Sequence, residues 1–132
     1  MHFLKITFYI SNFILFILYL YPGSLLGCMM ISDCDTQPQI LKQSDLISFN
    51  HVLIFIFFSI LGFLSFPENL QKIIIYLISI SILLEFAQIL VPIRSFQFID
   101  LISNFLGIMV SIVILKLFNI WRSRNKNVNK IL

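Results

Sequence analysis

Charged residues are scarce in this chain. They make up 11% of its 132 residues, whereas hydrophobic residues make up 59%. A soluble domain of this length cannot bury so much apolar surface, because small domains have a high ratio of surface to volume. The apolar runs are also longer than β-strands, which excludes a soluble β-rich domain. We therefore predict one integral membrane domain over residues 1–132.

Several motifs that would indicate an enzyme are also missing. The chain has no HExxH metalloprotease motif and no GxSxG elbow of a serine hydrolase. Its two cysteines, Cys28 and Cys34, lack a CxxC or Cys/His pattern typical of a zinc site. We expect no cofactor and no metal. The cysteines would form a disulfide in an oxidising compartment, which the sequence leaves open.

Four apolar segments predict membrane helices, since a helix needs roughly 20 residues to cross the hydrocarbon core. The segments are about residues 3–21, 50–66, 70–91 and 98–121. Pro67 follows the second and Pro92 the third, and proline disfavours helix at and just before its own position. The predicted fold is all-α and polytopic, with four transmembrane helices.

Basic residues concentrate in the tail, residues 122–132, which contains no acid. They are Arg122, Arg124, Lys126 and Lys130. Such a cluster is typical of the cytoplasmic flank of a membrane helix and does not indicate a nucleic-acid partner. Four helices then place both termini in the cytoplasm and the loop over residues 22–49 outside.

The first apolar segment has an alternative interpretation. "LLGC", ending at Cys28, is similar to the cleavage box of a bacterial lipoprotein. Against cleavage, Lys5 is the only basic residue before the segment, and Leu26 is a poor residue at its position. The intervening "YPG" is a turn that suits the exit of a retained helix.

Polar side chains gather at the predicted outer ends of the last three helices. They are His51, Glu85, Gln88, Arg94, Asp100 and Asn104. Helical spacing places them on one face of each helix, together with the small residues Ser59, Gly62 and Gly107, which would let the helices pack closely. Ionisable groups inside a membrane are expensive, so we predict an outward-facing polar pocket with a function.

Two structural readings compete with that pocket. Arg94 could pair with Asp100 or Glu85 only to hold a helical hairpin together. His51 could be solvated at a helix start. Grouped with the two carboxylates, His51 could instead bind a divalent cation or accept a proton, although no motif supports a metal.

The order of these residues resembles the VanZ-like family. The stretch "LLEFAQILVPIRSFQFIDLISNFLG" is similar to that family's pattern, in which a helix with an acid and a glutamine leads through an arginine turn into an Asp–Asn–Gly helix. The resemblance covers about residues 45–115. The family often has Asp-Lys where Ile47 and Ser48 stand here, so a role for that pair is not carried over unless Asp45 replaces the acid.

The resemblance implies a small protein of the bacterial inner membrane with a role in the cell envelope. The family is named after a protein that gives low-level resistance to the glycopeptide teicoplanin. The implied partner is a membrane lipid or a lipid-linked cell-wall precursor, with Arg94 contacting its phosphate or carboxylate. Other hypotheses are an assembly subunit that grips a larger membrane protein, a small dimeric transporter using Glu85, and a membrane enzyme without a recognisable nucleophile.

Overall fold

A computed structural model describes residues 2–35, 47–92 and 94–128, without the side chains of Leu26, Ile31 and residues 124–128. The helices are α1 (His2–Leu20), α2 (Leu25–Ile31), α3 (Phe49–Ser65), α4 (Leu70–Gln88) and α5 (Phe98–Val128), with a 3₁₀ turn over Pro67–Asn69. The described part of the chain is otherwise turns and irregular segments apart from an isolated bridge at Ile47. The predicted all-α class is confirmed.

Three helical stretches are long and apolar enough to cross a membrane: His2–Leu20, Pro67–Gln88 and Phe98–Ser123. Helix α3 is equally apolar but has 17 residues. Many large hydrophobic side chains remain exposed on the outside of the bundle, Phe13 at 68% and Met109 at 60% among them. Exposed apolar surface of this extent is unfavourable in water and suits lipid. The chain is a multi-pass membrane protein.

The four long helices, α1, α3, α4 and α5, alternate in direction along the chain. Contacts at the two ends of the bundle show these directions. At one end, Ser65 near the end of α3 donates a hydrogen bond to the carbonyl of Leu4 near the start of α1. At the other end, Tyr19 of α1 meets His51 near the start of α3. Helices α1 and α4 therefore run towards this second end, and α3 and α5 run away from it.

Helices α3 and α5 make the most extensive contact in the bundle. Gly107 of α5 lies directly against α3, where a Cβ atom would be only 2.6 Å from the Val52 carbonyl oxygen. Gly62 of α3 faces side chains instead of backbone. A Cβ atom there would lie 3.0 Å from Ile73 Cγ2 and 3.0 Å from Phe8 Cε2. Ser59 is fully buried in the same face of α3.

Two helix ends differ from those that the sequence indicates. Helix α4 ends at Gln88 and not at residue 91, and residues 89–92 form turns and a bend. The connection from α4 to α5 is therefore longer than expected. Helix α5 continues past residue 121 to Val128 and includes much of the basic tail. Residues 36–46, with Lys42 and Asp45, and residues 129–132 lie outside the described residues.

The start of the connection between α1 and α3 folds back on the end of α1. It contains the short helix α2, whose N-cap Ser24 accepts a hydrogen bond from the Gly27 amide, and a disulfide between Cys28 and Cys34. Gly23 has a φ of +93°, and a Cβ there would lie 2.6 Å from the Cys34 carbonyl oxygen. This position therefore requires glycine.

Candidate functional site

The candidate site is a buried polar cluster, which we define as Tyr19, His51, Glu85, Asp100 and Asn104. Its members come from α1, α3, α4 and α5 and meet at the end of the bundle where α1 and α4 finish. Each residue is at most 8% exposed, and Glu85 and Asn104 are fully buried. Each of these four helices therefore contributes at least one polar side chain to the polar cluster, which is shielded from solvent.

His51 lies at the centre of the polar cluster. Its Nδ1 atom is 2.9 Å from the Tyr19 hydroxyl and 3.2 Å from Asn104 Oδ1. The Tyr19 hydroxyl also donates to Asn104 Oδ1 over 3.3 Å. The other ring nitrogen, Nε2, is 3.4 Å from Asp100 Oδ2. One edge of the imidazole therefore faces two neutral groups, and the other faces a carboxylate.

The two carboxylates approach different nitrogens of this imidazole. Glu85 Oε1 is 3.8 Å from His51 Nδ1 and accepts a long hydrogen bond, 3.4 Å, from the Asn104 amide. Glu85 Oε2 is buried and accepts no hydrogen bond of ordinary geometry from any described residue. A buried polar atom without a partner is rare in native proteins and calls for an explanation.

Gln88 and Arg94 lie next to the polar cluster. Gln88 is 3% exposed and follows Glu85 by one helical turn. Arg94 is half-buried in the connection between α4 and α5 and extends towards α1. Partial burial lowers the pKa of Arg94 from its ordinary value, while electrostatic interactions with Tyr19, Asp100 and Glu85 oppose the shift. A guanidinium remains a cation throughout the physiological range.

The described hydrogen bonds of Arg94 go to backbone carbonyls at the end of α1. Its Nη2 donates to Gly23 over 2.6 Å and to Leu18 over 3.5 Å, and its Nε donates to Tyr21 over 3.2 Å. The last carbonyls of a helix have no partner within the helix, and a cation there also complements the helix dipole. Arg94 therefore ties the α4–α5 connection to α1, the helix that carries Tyr19.

Replacing Arg94 by alanine should loosen this attachment. We expect Arg94→Ala to lower the free energy of unfolding by about 2 kcal/mol, because hydrogen bonds to charged groups are worth more than neutral ones. Arg94→Lys should recover less than half of that loss, since an ammonium cannot reproduce the fork of the guanidinium. Reversible denaturation in mixed micelles measures both effects. Arg122→Ala, at an exposed arginine of α5, is the matched control. Equal stability of Arg94→Lys and the natural protein would contradict the capping role.

Tyr19 is the member of the polar cluster that sequence analysis missed. The first apolar segment has no acidic residue. Its tyrosines resemble the other aromatic residues of a membrane helix, so none of them indicated a polar site. A signal was available, since Tyr19 lies at the end of its helix, at the same depth as the predicted polar groups. Ser103 was missed too. It is fully buried and accepts a hydrogen bond from the Ser48 amide over 2.8 Å.

Comparison with known protein families identifies the chain. The VanZ/LLP1 family matches residues 2–119, nearly the whole length. The chain belongs to the VanZ/LLP1 family. The resemblance seen in the sequence is confirmed. No curated protein and no solved structure gave a significant match.

The extent of the VanZ/LLP1 match bears on the first helix. It begins at residue 2, so α1 is part of the family's domain. Tyr19 of that helix contributes to the polar cluster, and Cys28 is joined to Cys34. Lipoprotein processing would remove Tyr19 from the protein and requires a free thiol at Cys28. Both observations favour the retained membrane helix over the lipoprotein interpretation.

Proposed function

We propose that this VanZ/LLP1 protein binds an anionic membrane amphiphile in the cell envelope of a bacterium, with the polar cluster at the outer face of the cytoplasmic membrane. The observation that carries the proposal is an apolar groove of about 370 Å³ between α1 and α3. Eight residues line it: Ser11, Ile14, Leu15, Leu18, Leu53, Ile54, Phe57 and Phe58. It opens on the lipid-facing side of the bundle and suits an acyl or polyprenyl chain.

One end of the groove adjoins the polar cluster. Two residues that line the groove lie close to the polar cluster in sequence. Leu18 directly precedes Tyr19, and Leu53 lies two residues after His51. A chain lying in the groove would therefore place its head group beside the polar cluster, at the depth where lipid head groups lie. This combination of an apolar channel and a few convergent polar groups is typical of ligand sites.

The charges near that end of the groove set what the head group can be. Arg94 retains its positive charge, while its Nε and Nη2 atoms donate to the carbonyls of Tyr21 and Gly23, just after the end of α1. It would attract a phosphate through its charge. His51, when protonated, adds a second positive charge beside the two carboxylates. The two cations would then balance Glu85 and Asp100, so an anionic head group placed nearer to Arg94 than to the carboxylates would be attracted.

The test compares amphiphiles of different head group by their effect on thermal stability in lipid nanodiscs. We expect phosphatidylglycerol or a polyprenyl phosphate to raise the melting temperature of the natural protein, and phosphatidylcholine to have no effect. A ligand at 100 times its Kd stabilises by about 2.7 kcal/mol. A greater effect of the polyprenyl phosphate would indicate a lipid-linked cell-wall precursor, and equal effects a general anionic lipid.

Two variants assign the binding to its parts. Leu53→Phe should fill the groove and abolish the response to every chain, whereas Glu85→Gln should change the preference among head groups. Glu68→Gln, at an exposed acid on the opposite end of the bundle, is the control. The proposal fails if neutral and anionic amphiphiles act alike on all four proteins. Co-purification with a larger membrane protein under those conditions would favour the assembly-subunit hypothesis instead.

A further inference from the structure

Three side chains of the polar cluster have the chemistry and the spacing of metal ligands. His51, Glu85 and Asp100 each present one ligating atom, and these three atoms lie within 4.8 Å of one another. They come from three different helices, so the fold and not a local sequence motif creates their proximity. The missing HExxH motif, on which the expectation of no metal rested, therefore does not decide the matter.

Glu85 supplies the second observation. Its carboxylate is fully buried, yet Oε2 has no hydrogen-bond partner of ordinary geometry among the described residues, and Oε1 has a long hydrogen bond from Asn104 and a 3.8 Å contact with His51 Nδ1. A buried carboxylate in an apolar bundle is costly unless it is paired with positive charge or coordinates a metal. A cation beside Glu85 would satisfy this Oε2 atom, to which no described residue donates a hydrogen bond of ordinary geometry.

The surroundings of His51 select the nitrogen that would ligate. The amide nitrogen of Asn104 donates to Glu85, so the amide oxygen of Asn104 is the atom that faces His51 Nδ1. Because this oxygen can only accept a hydrogen bond, Nδ1 must carry the proton. With Nδ1 protonated, Nε2 carries the lone pair, and this lone pair faces Asp100. A metal-binding histidine usually donates a hydrogen bond from the N–H of its other ring nitrogen to an oxygen acceptor, as Nδ1 would to Asn104 here. This hydrogen bond fixes the tautomer and orients the ring.

We propose that His51, Glu85 and Asp100 bind a divalent cation, with Nε2 and the two carboxylates as ligands and with Tyr19 and Asn104 orienting the imidazole. One nitrogen and carboxylate oxygens suit Mn²⁺, Fe²⁺ or Zn²⁺ better than the all-oxygen sites of Ca²⁺. Three protein ligands leave coordination positions for water or for an oxygen of a bound molecule. The metal site shares the polar cluster with the proposed head-group site, but it does not depend on the apolar groove between α1 and α3.

Metal binding is tested with the metal alone on the full-length protein. The purified protein is stripped with a chelator, dialysed against Zn²⁺, Mn²⁺ or Mg²⁺, and analysed for bound metal per chain by mass spectrometry. Titration calorimetry then gives the Kd. We expect one Zn²⁺ or Mn²⁺ per chain and much weaker Mg²⁺ binding. Asp100→Asn and Glu85→Gln should each weaken binding by more than about tenfold, while Glu68→Gln and His2→Gln should leave it unchanged.

A spectroscopic variant separates ligation from a general loss of structure. Co²⁺ in place of the bound metal gives visible absorption that reports the number and type of its ligands. Tyr19→Phe keeps all three ligands and should keep that spectrum while weakening binding by about 10-fold or more. Absence of stoichiometric metal from the natural protein overturns the proposal. So does binding that Asp100→Asn and Glu85→Gln leave unchanged while their helical content stays normal.

Discussion

Gly107→Ala should be among the most destabilising single-methyl changes in this protein. The added Cβ would lie 2.6 Å from the Val52 carbonyl oxygen, 2.8 Å from Phe55 Cβ and 3.2 Å from the Ile56 amide nitrogen. Two of these atoms belong to the α3 backbone and cannot rotate away, so α3 and α5 must separate. Overpacking of this kind costs about 1–3 kcal/mol, and it exceeds the gain in helix propensity of about 1 kcal/mol.

Gly62→Ala is the matched control for this experiment. It also replaces a helical glycine in a helix–helix contact, but its nearest neighbours are the side-chain atoms Ile73 Cγ2 and Phe8 Cε2 at 3.0 Å. These can move by a few tenths of an ångström, and the helix propensity gain then offsets the strain. Reversible denaturation in mixed micelles should give a clear loss for Gly107→Ala and a change within about 0.5 kcal/mol for Gly62→Ala. Similar losses for both would show that backbone contact is not the cause.

His51→Ala should be the most damaging change within the polar cluster. The imidazole lies beside both Glu85 and Asp100, and its Nδ1 atom also contacts Tyr19 and Asn104. Its removal leaves two buried carboxylates without the ring that both approach. Leaving a buried polar group without its partner costs about 1–3 kcal/mol, and more when that group is charged. We expect a loss of that order, measured by denaturation in the presence of a chelator so that bound metal does not contribute.

A second substitution tests whether charge causes this loss. Asp100→Asn in the His51→Ala background should restore part of the stability, because a neutral amide costs less to bury without a partner than a carboxylate does. The double-mutant cycle would then give a coupling energy of roughly 1–3 kcal/mol. His2→Ala, at an exposed histidine near the start of α1, should have no effect. Additive losses from the two substitutions would mean that His51 acts by packing alone.

The polar cluster illustrates what sequence reasoning reaches and where it stops. Glu85 and Asn104 lie at helix ends that hydropathy and proline positions locate, so their common depth follows from the sequence. Whether Arg94 would face the carboxylates or another group did not follow. Its donors reach the end of α1, a contact between residues more than 70 positions apart that no local pattern encodes.

The sequence by itself determined the membrane environment, the all-α class, the family and the buried faces of α3, α4 and α5, because these depend on hydropathy and on the 3.6-residue period along one helix. Only the tertiary structure decided that Tyr19 joins His51 and that one oxygen of Glu85 accepts no hydrogen bond of ordinary geometry from the described residues. It also decided that Gly107 lies against the α3 backbone. The rotation and approach of packed helices depend on many side chains at once, and interatomic distances follow from that packing.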